Sequence, residues 1–145
     1  MRPFRSVIFA LGLALAGVGV GHSSARAQQS SLPTVAAAVA GSWSRRDAGR
    51  IADLLSPGGV ALHLFDESHP AAGVRQARAA LSDLFERGGS ARLARVEDLG
   101  GAPQRGFAEI AWDVRASGSD QRYVVFVGFV REDDAWRIGE IRVLR

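Results

Sequence analysis

Gln121-Arg122-Tyr123-Val124-Val125-Phe126-Val127-Gly128-Phe129-Val130-Arg131 decides the fold. In an extended chain Tyr123, Val125, Val127 and Phe129 fall on one face, and Val124, Phe126 and Val130 on the other. That spacing, with β-branched and aromatic side chains, predicts a strand. A strand that is apolar on both faces has to be covered on both faces. Polar turns bound it, Ser117-Gly118-Ser119-Asp120 before and Glu132-Asp133-Asp134 after. The neighbouring segments alternate as well. Arg105–Ala116 sets Ala108, Ile110, Trp112 and Val114 against Glu109, Asp113 and Arg115, and Trp136–Leu144 returns. Residues 105–145 therefore predict three consecutive antiparallel strands.

Upstream, Pro33 suits a first helical turn, and Val35, Val39 and Trp43 have helical spacing, which predicts a helix to about Arg46. Asp47 can cap a second helix, Ala48 to Leu55, which Ser56-Pro57-Gly58-Gly59 ends. Val60–Phe65 reads as a strand, with His63 on the face opposite Val60, Leu62 and Leu64, and 66–73 as a polar connection. Val74, Ala77, Leu81, Leu84 and Phe85 predict an amphipathic helix closed by Gly88-Gly89. Leu93 and Val96 fit a helix or a strand, and the turn residues from Gly100 to Pro103 favour a strand. The order predicts an α+β fold, a curved antiparallel sheet with three helices packed on one face.

The beginning of the chain reads differently. Arg2 and Arg5 precede the uncharged apolar run Val7–Val20, and Ala25-Arg26-Ala27 has the small-x-small pattern of a cleavage site. Residues 1–27 read as a secretory signal, 28–32 as a disordered leader and 33–145 as one domain. The destination is extracytoplasmic, most simply the periplasm. There is no cysteine, so disulfide and thiolate chemistry are excluded. The formal charge of +3 is misleading, because Arg2, Arg5 and Arg26 lie in the signal. Without them fifteen arginines face fifteen acids. Binding to nucleic acid or an anionic membrane then lacks an electrostatic footprint.

Val39-Ala40-Gly41-Ser42-Trp43-Ser44-Arg45-Arg46-Asp47, followed by Leu54-Leu55 and Val60, resembles the opening of nuclear-transport-factor-2-like (SnoaL-like) domains. Gly73-Val74-Arg75 into Leu81 and Phe85 resembles their third helix. Asp133-Asp134-Ala135-Trp136-Arg137-Ile138 resembles the turn that starts their last strand. The likeness is strongest to small secreted bacterial members of unknown function. It implies a conical sheet around a pocket, the first strand beside the last, and often a homodimer through the outer sheet face. Isomerases, hydrolases, dehydratases and plain binding modules all occur in this superfamily, so the fold alone selects none of them.

No catalytic set stands out. His63 is an acid/base candidate because an imidazole titrates near neutrality. Glu109, Asp113 and Glu140 become candidates only if burial raises a carboxyl. Tyr123 is a candidate hydrogen-bond donor, and Trp43, Trp112, Tyr123 and Trp136 are candidates to line an apolar ligand site, with core packing as the alternative. His63, Asp66, Glu67 and His69 are metal-ligating types without a metal-site spacing, so neither a metal nor a cofactor is expected. Arg45, Arg46 and Arg50 read as a solvated face. The function read from these residues is a secreted, non-catalytic domain that binds a small apolar ligand or a protein partner. The alternative is a cofactor-free isomerase or hydrolase using His63 or Glu109 with Tyr123. A homodimer is expected if Val124, Phe126 and Val130 stay exposed.

Overall fold

The computed structural model describes residues 30–145. The order is α1 (Leu32–Ser44), α2 (Ala48–Ala52), β1 (Val60–Leu64), β2 (Glu67–Ala72), α3 (Val74–Phe85), β3 (Ser90–Gly100), β4 (Arg105–Ala116), β5 (Ser119–Glu132) and β6 (Ala135–Leu144). One curved, unclosed six-stranded sheet runs β2-β1-β6-β5-β4-β3. All neighbours are antiparallel except β1 and β6, which bring the first strand beside the last in parallel. The export segment 1–27 lies outside the described residues.

The local signals explain most boundaries. Ser31 caps α1, its hydroxyl accepting from the Thr34 amide at 3.4 Å. Leu32 is thus the first helical residue and is buried, one position earlier than the expected end of the leader. Asp47 caps α2 by accepting from the Arg50 amide at 3.0 Å. That helix stops at Ala52, short of Leu55, because Leu54–Ser56 leaves it to pair with β6. Ile138 N–H donates to Leu54 O and Ser56 N–H to Ile138 O, both at 2.8 Å. The two tight hairpin turns carry positive φ at Ser117 and Gly118 and at Asp133 and Asp134, the backbone that fits the twist of paired strands.

Two features were not expected. Residues 67–72 form an edge strand rather than a connection, because β1 offers them a pairing partner: His63 lies opposite Ser68 and Leu62 opposite His69. Pro70 is tolerated there because an edge strand has a side without a ladder. In β6 a bulge at Gly139 shifts the register, so that Gly128 faces Glu140 while Phe129 faces Ile138. Trp136 and Ile138 before the bulge, and Ile141 and Val143 after it, all turn inward.

The core lies between the helices and the inner sheet face. It joins Val35, Val39 and Trp43 of α1, Ile51 of α2, Leu81 and Phe85 of α3, and the inward residues of β1, β4, β5 and β6. Gly106 is where α1 presses on the sheet, since a Cβ there would lie 2.3 Å from Leu32 Cδ2 and 2.8 Å from Glu97 O. Trp136 closes the same end of the core, 5 % exposed, with the Arg131 guanidinium 5.9 Å from its ring centroid. Truncating this buried indole removes packing that the backbone cannot refill. Trp136→Ala is expected to destabilise the domain by about 3–5 kcal/mol in a denaturant titration; a loss under about 1 kcal/mol is the surface range and would contradict its burial.

Candidate functional site

The inner face of the sheet is where this architecture can enclose a ligand, so the side chains that point there decide the chemistry. β4 contributes Ala108, Ile110, Trp112 and Val114, β5 contributes Tyr123, Val125, Val127 and Phe129, and β1 contributes Val60, Leu62 and Leu64, all buried. No titratable group except Tyr123 is among them. Its hydroxyl reaches the outer rim, where it donates to Gln121 Oε1. The four aromatics considered as ligand lining are packed residues here. Trp43 and Trp112 are each 1 % exposed, and Tyr123 and Trp136 are each 5 % exposed.

Three of the four form one cluster with Phe65 and Phe85. Trp43 meets Phe85 edge-on with centroids 5.0 Å apart, and Trp112 at 5.7 Å. Trp112 lies 5.6 Å from Tyr123, and Tyr123 meets Phe65 edge-on at 5.0 Å. The Arg87 guanidinium, 4.4 Å from the Phe65 centroid, covers the outer end. Trp112 Nε1–H donates to Gly88 O at 3.0 Å, whereas Trp43 Nε1–H is buried without a partner among the described residues. Such an orphaned donor costs about 1–3 kcal/mol. Phe65 holds φ +57, a left-handed backbone that is costly for a bulky residue. Beside it a cleft of about 180 Å³ opens between the β1–β2 turn and α3, lined by Phe65, Asp66, Glu67, Asp83, Leu84 and Arg87 among others. Phe65 and Arg87 were not singled out from the sequence, where Phe65 reads only as the last residue of a strand.

The acid/base candidates lie on the other face. Within each strand His63, Glu109, Asp113 and Glu140 alternate with the buried inward residues. Across the sheet Glu109 stands opposite Arg95 and Phe126, Glu140 opposite Ala61 and Gly128, and His63 opposite Arg142. None of the four reaches Tyr123. His63 Nδ1 meets Ser68 Oγ at 3.1 Å. His69 contacts Gln76 Nε2 at 3.3 Å through Nδ1 and lies 3.7 Å from Glu67. Residues directly opposite in a pair share a face, so His63 with Ser68 and His69 with Leu62 lie on opposite sides of the hairpin. Among the described residues no group of three or more His, Asp or Glu stands together as a metal site.

Outside, long polar side chains cover the apolar residues. Phe107 and Phe126 stack with centroids 5.3 Å apart, and the Arg95 guanidinium lies 5.2 Å from the Phe107 centroid. Arg142 pairs with Glu140, and Arg95 with Glu97. Phe126 and Val130 are therefore half-buried, and the exposed apolar surface of β5 and β6 reduces to Val124 and its cross-strand partner Leu144.

Asp113 is the one carboxylate with a displaced titration. A hydrogen bond from Arg122 Nε at 2.6 Å holds it below its ordinary value, helped by the charges of Arg122 and Arg92 and opposed by desolvation. A carboxyl lowered by folding stabilises the native state above its unfolded value of about 3.9 and loses that contribution as the pH falls through the folded value. Asp113→Asn is accordingly expected to lower the melting temperature at pH 7, with the deficit closing below about pH 4. A deficit that is the same at both ends of that range would mean the ion pair contributes nothing.

No protein-family profile and no curated protein matches the sequence. Solved structures do. A DUF4783 family protein from Bacteroides uniformis aligns with a TM-score of 0.60 at 18 % identity, over 74 % of this chain and 94 % of its own. An NTF-2 like protein of unknown function from Shewanella oneidensis aligns with a TM-score of 0.55 at 15 % identity, over 73 % and 89 %. A designed NTF2 protein with a long sheet reaches a TM-score of 0.64 at 17 % identity, over 78 % and 99 %. The chain has a nuclear-transport-factor-2-like fold. At these identities the likeness is one of architecture.

Proposed function

We propose that the protein is exported and works as a non-catalytic binding domain whose partner is a protein. The observation that carries this reading is the distribution of side chains across the sheet. The enclosed face holds apolar groups and a packed aromatic cluster, while His63, Glu109, Asp113 and Glu140 sit on the opposite face beside arginines or open water. A general base needs to reach the proton it removes, and on this arrangement none of the candidates reaches the interior. The isomerase or hydrolase alternative loses its acid/base on the same ground. The solved neighbours of unknown function are consistent with a binding role and specify no chemistry.

A small apolar ligand is the second reading, and a specific observation favours it. The buried Trp43 Nε1–H lacks an acceptor, and the cleft beside Phe65 leads toward the cluster that contains it. An apolar molecule with one acceptor oxygen would supply what that donor lacks.

Native mass spectrometry of the protein recovered from its exporting host separates these readings. The expected species begins at Gln28 and carries a stoichiometric protein partner, whether a second copy or another chain. A bound mass of a few hundred daltons would favour the small ligand instead. A bare single chain at micromolar concentration would defeat both, and retention of Arg2 and Arg5 would defeat export.

A further inference from the structure

The sheet ends on β2 at one side and on β3 at the other. The β2 edge carries Pro70, which has no amide hydrogen to offer a further strand. The β3 edge carries no proline and is eleven residues long. Its two ends are already engaged. Ser44 Oγ accepts from the Ala91 amide at 3.5 Å, and the Asp98 carboxylate takes the Gly100 amide at 2.8 Å. Register shifts at Leu93/Arg95 and at Asp98/Gly100 mark both ends of a regular run between them. That run keeps every second backbone N–H and C=O turned away from β4.

Three further features belong to the same stretch. Leu99 is 59 % exposed, more than Val74, Val124 or Leu144. Leu93 and Val96 face the core side yet are only partly covered. The charges along Leu93-Ala94-Arg95-Val96-Glu97-Asp98-Leu99 are basic before Val96 and acidic after it. A strand with that pattern is complementary to its own reverse.

We propose that the β3 edge pairs with the β3 edge of a second copy, antiparallel about Val96. This rests on the binding reading above and names its surface and its partner. In that register Leu93 lies opposite the other copy's Leu99, Arg95 opposite its Glu97, and the two Val96 side chains meet on the axis. Arg95 and Glu97 already form an ion pair within one chain on the outer face. The twofold axis turns that pair into a ring of two arginines and two glutamates. On the inner face Leu93 and Val96 gain the cover that the end of the sheet denies them. Each copy uses up its open edge in the pairing, and Pro70 blocks the other, so assembly closes at two chains.

Sedimentation of the protein from Gln28 onward, at micromolar concentration, tests this by charge exchange. The unaltered chain is expected to be a dimer. Arg95→Glu and Glu97→Arg each set like charges across the axis and should weaken it on the order of tenfold. The double variant Arg95→Glu/Glu97→Arg restores opposition and should restore the dimer. An equimolar mixture of the two single variants should pair as a heterodimer, one strand acidic and the other basic at these positions. Both side chains are about half exposed, so the variants keep the fold, which unchanged thermal melts would verify. A dimer unmoved by both reversals, or one lost instead on Val124→Glu, overturns the edge assignment and leaves the binding reading standing. A monomeric unaltered chain overturns the edge pairing outright; the binding reading falls separately, if the exported protein carries no partner of any kind.

Discussion

A strand with apolar side chains on both faces has to be covered twice, and the rest of this molecule is arranged around how β5 solves that. On the inner side the cover is a layer of helices, with Val39, Trp43, Leu81 and Phe85 reaching the sheet. On the outer side no second layer stands over it among the described residues. The neighbouring strands supply long side chains instead. The Arg95 guanidinium lies over Phe107, which stacks on Phe126, and the Glu140 Cβ approaches the bare backbone of Gly128. Arginine stems can cover apolar surface while their charged ends stay in water. A chain whose basic residues are all arginine has many such stems to use.

The same division sets what the domain can do. Packing both faces of β5 leaves the polar chemistry on the outside, where water weakens electrostatic effects and carboxylates keep their ordinary behaviour unless a partner is close. Asp113, gripped by Arg122, shows how near that partner has to be. The interior is unreactive in composition but not free of tension. It holds an indole N–H without an acceptor and a phenylalanine with a left-handed backbone at its outer end. Strain of that kind persists only where the surroundings hold it, here through Tyr123 and Arg87.

Much of the architecture was legible in the sequence. Alternation in β4 and β5, the Asp47 cap and the Ser117-Gly118 and Asp133-Asp134 turns rest on local rules, and the structure follows them. The assignment of His63, Glu109 and Asp113 to one face and of the aromatic residues to the other was also readable, since strand parity fixes it. Which of those faces the helices would cover was not, because that depends on packing between distant segments. Strand β2 escaped because Ser68-His69-Pro70 has no apolar period of its own and becomes a strand only by pairing with β1. The inward turn of both Trp136 and Ile141 escaped because a bulge at Gly139 breaks parity. The glycine was the available signal, as a lone glycine in a strand pattern often marks a bulge. Phe65 was unreadable as a cover for the cluster, since its role comes from a turn conformation and from Arg87 in another segment.

The aromatic cluster gives the protein a built-in optical signature. Trp43, Trp112 and Tyr123 lie in fixed, asymmetric orientations with centroids under 6 Å apart along the chain of contacts. Rings held in this way couple their transitions and produce near-ultraviolet circular dichroism, which vanishes when side-chain packing loosens even if the backbone stays folded. The spectrum therefore follows the order of the interior independently of the sheet. A change that loosens only the region around Trp43 and Phe85 would be seen there before it is seen in the far-ultraviolet.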